Sequence, residues 1–146
     1  MPSIPSPPPT PPPAPAPDPG AAVRMTAGSE AAWSDHRSGM RIQFGVSGEQ
    51  SGSTQVFMTR QRIPPGMRST AHFHVNCETA IYILRGPVEM RYGLRLEQSH
   101  RAATGNFLFI PPNVVHQIVN GSATDEAEVV LCRNAAEEIV QEVAIP

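Results

Sequence analysis

From residue 40 onward the chain breaks into short alternating runs about ten residues apart, and this rhythm constrains the fold more than any other feature. Met40, Ile42 and Phe44 alternate with Arg41 and Gln43, the pattern of a half-buried strand, closed by Gly45. The stretch GVSGEQSG reads as a loop, and TQVFMTRQRI, residues 54–63, as a second strand ended by an IPPG turn. STAHFH, AIYILR, PVEMRY, FLFI, VVHQIV and EAEVVLC continue the series, with PPN and NGSATD as punctuation. Seven to nine short strands at this spacing predict an all-β sandwich or barrel. Helix is confined to one or two turns in AGSEAAWSDH and to AAEEIVQEV. Asn134 could cap the latter, although its β-branched residues also allow an extended tail.

The first twenty residues do not join this pattern. Residues 1–19 hold eleven of the seventeen prolines. A segment poor in backbone donors and apolar side chains cannot offset its ordering entropy, so residues 1–20 are expected to be a disordered or polyproline II-like tail. A ligand for a proline-binding module is the alternative to a passive tail. Residues 21–146 then form a single domain of ordinary size.

Composition removes several functions. All eleven basic residues are arginine, which excludes a Schiff-base lysine and a P-loop lysine. A net charge of −2 gives no support for nucleic-acid binding, and no helix-turn-helix segment accompanies the strands. No window reaches membrane-spanning length, and no basic start and apolar run marks a signal peptide. Cys77 and Cys132 are too few for a disulfide scaffold, so reduced thiols in a cytoplasmic protein are expected.

Chemistry concentrates in STAHFHVNCETAIYILRG, residues 69–86. Residues two apart on a strand share a face, so His72 and His74 can reach one ion together. Glu78 lies four residues beyond His74, and parity keeps it on that face unless a bend intervenes. Taken alone, a His-x-His is better explained by packed or surface histidines. Forty-two residues after His74, however, His116 follows a proline-stiffened turn in GNFLFIPPNVVHQIVN, residues 105–120. Two histidines and a carboxylate from one hairpin, with a histidine from another strand, would close a four-ligand cage.

These residues resemble the two motifs of the cupin superfamily, whose members are small jelly-roll barrels, also described as double-stranded β-helices. Gly66, His72, His74, Glu78 and Gly86 match the first motif (66–86), and Gly105, Pro111, His116 and Asn120 match the second (105–120). Eighteen residues separate the motifs, as in small single-domain RmlC-like cupins. The resemblance implies His72, His74, Glu78 and His116 as metal ligands. It departs from the family pattern twice. Seven residues rather than six separate Glu78 from Gly86, with Thr79 in the alternative ligand slot. Asn113 stands where glycine is usual, and asparagine tolerates positive φ best among the other residues.

Three neutral imidazoles and a carboxylate would leave an octahedral divalent ion two open positions for oxygen-bearing anions. That suits iron, manganese or nickel better than zinc, which remains possible. The expectation is a metal-dependent enzyme acting on a small oxygenated metabolite by oxygenation or isomerisation. Glu78, Tyr82 and Tyr92 are its candidate acid–base residues. The alternatives are a non-catalytic cupin that binds a metabolite or metal as sensor or accessory protein, and a structural metal site. Phe57, Met58, Tyr82, Met90, Tyr92, Phe107 and Phe109 are candidate barrel-lining residues, while His36 and His100 read as surface residues. The resemblance also implies a homodimer, with residues 21–45 available for exchange between subunits.

Overall fold

The computed structural model describes residues 10–36 and 39–146. Of the expected tail, residues 10–20 are exposed and form no strand or helix, while residues 1–9 lie outside the described residues. The strands are β1 (Trp33–Asp35), β2 (Arg41–Val46), β3 (Phe57–Ile63), β4 (His72–His74), β5 (Thr79–Arg85), β6 (Val88–Tyr92), β7 (Gln98–Ala102), β8 (Phe107–Ile110), β9 (His116–Val119), β10 (Ala127–Arg133) and β11 (Val140–Glu142). One helical turn, α1 (Gly48–Ser51), sits in the first expected loop. Ser47 caps it by accepting from Gln50 N–H, and Gly52 ends it at φ 73°. No helix among the described residues is long and apolar enough to cross a membrane.

Two antiparallel sheets result, ordered β1-β2-β3-β10-β5-β8 and β11-β4-β9-β6-β7. Sequence neighbours β3 and β4, or β5 and β6, fall on opposite sheets, which is the jelly-roll path expected of the chain. Inward residues of the two sheets share one core. Phe57, Ile63, Ile81, Ile83, Val129 and Leu131 come from the larger sheet, and Val88, Met90, Ala102 and Ile118 from the smaller. The alternation is strict in β3 and β5, where odd-numbered residues are buried through Ile63 and Ile83 respectively.

Local readings changed where long-range packing chose the phase. In β2, Gln43 is buried and Phe44 is exposed, because the Gln43 amide donates to the carbonyls of Gly28 (2.7 Å) and Ala31 (2.9 Å). Met58, Tyr82, Phe107 and Phe109, expected to line the barrel, lie on its outside; Phe107 is 78% exposed. Pairing of β8 with β5 places Leu108 and Ile110 inward instead. The segment AAEEIVQEV forms no helix: it bends through residues 135–137, and Val140–Glu142 becomes β11 against β4. Within residues 21–45, β1 pairs with β2 and β2 with β3 of the same chain.

The turn preceding His116 is built as its sequence suggests. Asn113 adopts φ 62°, and its N–H donates to the His74 carbonyl at 2.8 Å, tying the second motif to the first. Asn120 ties down the opposite end. Its buried amide donates to the carbonyls of Ile63 (2.9 Å), Pro64 (3.2 Å) and Asp125 (2.8 Å), and its oxygen accepts from Ser122 N–H. Asn120→Ala leaves buried carbonyls without a donor and should cost about 2–3 kcal/mol by urea denaturation. A loss below about 0.5 kcal/mol would show that water replaces the amide at no cost.

Candidate functional site

His72 and His116 are direct partners across the single bridge between β4 and β9, and His74 lies one inward step along β4. Their ring centroids are 4.4 Å (His72–His116), 5.0 Å (His72–His74) and 5.2 Å (His74–His116) apart. One ring nitrogen from each lies within 4.8 Å of the others. Small ring rotations would bring these atoms onto one ion with bonds of about 2.1 Å.

Backbone acceptors set the tautomers. His72 Nδ1 lies 2.9 Å from the Thr70 carbonyl, and His116 Nδ1 lies 2.8 Å from the Val114 carbonyl. A carbonyl only accepts, so each Nδ1 carries the proton and each Nε2 keeps its lone pair for an ion. His74 reaches the same state by other means. Its Nδ1 is 3.1 Å from Glu138 Oε2, off the line of a hydrogen bond but facing an atom that only accepts. Its Nε2 is 3.3 Å from Arg133 Nη2, which only donates. The donor set therefore fits a divalent transition ion, with one condition: the ion must displace Arg133 Nη2 from His74 Nε2.

The expected fourth ligand is elsewhere. Glu78 is exposed, its N–H is held by Asn134 Oδ1 at 2.8 Å, and its side chain borders an outer groove with Val56 and Met58. Bends at Val75 and Asn76 break the strand between His74 and β5, so parity does not carry across. Thr79 takes the inward place, buried at the start of β5, and accepts from Arg133 Nε at 3.0 Å. Tyr82 is likewise on the outer face, its ring tilted 53° against Phe107. Tyr92 packs on His100, with its hydroxyl 3.2 Å from His100 Nε2, and lines a neighbouring cavity that shares His116 as a wall. Cys77 is buried, and burial pushes its thiol pKa up, as for an inert thiol.

Two charged residues of the site went unread in the sequence. Arg133 continues the inward register of Val129 and Leu131 to the end of β10, with its side chain only 6% exposed. That alternation was the available signal. Glu138 lies in the irregular link between β10 and β11, where no periodicity points anywhere, and its Oε2 is 3.1 Å from Arg133 Nη1. His36, expected at the surface, lines the same cavity. About 50 Å³ of that cavity is open to the centre of a water molecule, room for a few waters.

Burial, followed by repulsion from His72, pushes His116 down to a pKa of about 3 from an ordinary 6.5. The imidazole is thus held neutral, as metal ligation requires. Between those two values the unfolded chain binds a proton that the folded chain refuses. This contribution is therefore neutral above the unfolded pKa and costs stability as pH falls below it. Metal-free protein should lose up to roughly 1.4 kcal/mol per pH unit from this group as pH falls below about 6.5. Urea titrations between about pH 7 and pH 5 should show a shallower loss in His116→Gln; equal slopes would assign the loss to other groups.

A family model described as "Cupin domain" matches residues 59–132. The polyketide cyclase RemF from Streptomyces resistomycificus is similar in structure, with a TM-score of 0.72 at 16% identity over 86% of this chain and 88% of that one. An RmlC-like cupin from Shewanella frigidimarina gives 0.65 at 15% identity, covering 80% and 94%. KdgF from Halomonas sp. gives 0.64 at 16%, covering 77% and 94%. At such identities the likeness is one of fold. No curated protein sequence matches this one significantly.

Proposed function

The chain belongs to the cupin family, and we propose that within it the protein is a metal-dependent enzyme acting on a small oxygenated metabolite at a three-histidine centre. The convergence of three Nε2 lone pairs from His72, His74 and His116 carries this reading. A bound ion would supply Lewis-acid polarisation of a ligand oxygen. The chain's own part is to hold three neutral imidazoles in one tautomer, to exclude bulk water and to present Arg133 beside the open positions.

Thr79 in place of a carboxylate changes the balance among metals. Three imidazoles with no anionic donor leave the ion its full charge and an open position, as in three-ligand catalytic zinc sites. Zinc therefore stands beside iron, manganese and nickel here. Oxygenation requires a redox-active ion, whereas isomerisation proceeds with any of them.

One observation favours a second reading, a non-catalytic cupin that binds its ligand as sensor or accessory protein. Glu78 and Tyr82 lie outside the cavity and Tyr92 lines the one beside it, so none of the three expected proton-transfer groups reaches a ligand there. Turnover of a bound metabolite separates the two readings.

Elemental analysis of full-length protein prepared without chelator or nickel resin should find about one transition ion per chain. His74→Ala and His116→Ala should each abolish it and leave the barrel folded by circular dichroism, while Glu78→Ala should retain it. Stoichiometric metal in either histidine variant would remove the ligand set.

A cytoplasmic homodimer completes the proposal. The reduced cysteines suit that compartment, and the exposed Tyr82, Leu84, Phe107 and Phe109 on the outer face of β5 and the edge strand β8 suit self-association. Sedimentation of the full chain should give twice its 15.7 kDa mass. A monomer at tens of micromolar would reject the dimer.

A further inference from the structure

We propose that Arg133 is the anion-recognition residue of this centre, that it takes the carboxylate of a small organic acid, and that Glu138 is the counter-ion which the incoming acid replaces. The inference rests on the three-histidine reading and names the ligand class for it.

A guanidinium inside a barrel is costly unless paired, and Arg133 is held on several sides. Its Nε donates to Thr79 Oγ1 at 3.0 Å, its Nη1 is 3.1 Å from Glu138 Oε2, and its Cζ lies 5.2 Å from the Phe57 ring. Its Nη2 is 3.3 Å from His74 Nε2, an atom that would bind the ion. A group bound to the guanidinium edge therefore lies beside the ion's open positions. A divalent ion among neutral imidazoles, with Arg133 and Glu138 cancelling, leaves the cavity strongly positive, so it selects an anion. The planar fork of arginine matches a carboxylate, and a cavity with room for a few waters suits a short acid.

Glu138 is suited to leave. Its side chain is 20% exposed, and it lies in the link before β11, outside any strand ladder. Turning it to water breaks no strand pairing and gives up its contacts to Arg133 Nη1 and His74 Nδ1, both at 3.1 Å. Exchange of one carboxylate for another keeps Arg133 paired throughout, so the swap avoids the cost of a bare buried charge. Glu138 is then an internal competitor, and the two residues have opposite effects on ligand affinity.

Isothermal titration of the full chain, metal-saturated and metal-free, with acetate and malonate against acetamide and malonamide reads this directly. The acids should bind and the neutral amides should not. Glu138→Gln should tighten the acids by about tenfold, and Arg133→Gln should weaken them at least about tenfold with metal stoichiometry unchanged. Arg133→Lys keeps the charge without the fork and should bind weakly, which covers a glutamine variant that does not fold. No heat with either acid would overturn the proposal, as would amides binding equally well, or Glu138→Gln weakening the acids. Inorganic phosphate binding more tightly than malonate would overturn the carboxylate assignment. A chain that takes up no metal fails the underlying centre, while the metal-free titrations still decide the roles of Arg133 and Glu138.

Discussion

The site depends on a single bridge between β4 and β9 that sets His72 opposite His116. Cross-strand neighbours project to the same face, so the pairing itself brings the two imidazoles together. Thr70 and Val114 carbonyls, each two residues before its histidine, then fix both rings through Nδ1. Orientation comes from the same backbone that makes the strands. His74 needs only the period of β4 to join them, and β11 covers it by pairing Val140 with His74.

That geometry imposes a charge problem on the rest of the barrel end. Three converging imidazoles, with His116 held neutral by burial and by its neighbours, make a place for a cation. Yet β10 delivers a buried arginine to the same place. A cation and a guanidinium repel each other unless anions separate them, and Glu78 is not there to help. Glu138 supplies part of the compensation by touching both His74 and Arg133. The carboxylate of this centre thus acts from behind a histidine and not as an inward neighbour of it on the motif hairpin.

Strand rhythm and histidine spacing were legible in the sequence because both are local properties of alternating chains. The jelly-roll path, the histidine trio and the left-handed Asn113 all follow from them. Glu78 was misplaced because parity counts only along an unbroken strand, and the chain bends between His74 and Thr79. The seven-residue gap before Gly86 recorded that shift, and Thr79 in the inward slot is its consequence. Phe107 and Phe109 show a different failure. Hydrophobicity marked them as core, but the register with β5 sets which side of β8 faces in, and that register is a long-range fact. Arg133 was readable by the same alternation that placed Leu131, whereas Glu138, in an irregular link, offered no pattern to read.

The replacement of an inward carboxylate by Thr79 links these points. A glutamate in that position would ligate the ion and neutralise part of its charge, leaving no reason to bury an arginine beside it. With threonine there, the side chain is too short and too weak a donor to do either, but it can hold Arg133 through Nε. The negative charge the site lacks must then come from outside the motif: from Glu138, which lies 3.1 Å from both His74 Nδ1 and Arg133 Nη1, and, in the proposed liganded state, from the bound anion. In the proposed centre, a one-residue shift in a hairpin would thus replace a self-neutralised metal site by one whose electrostatic balance is completed by what it binds.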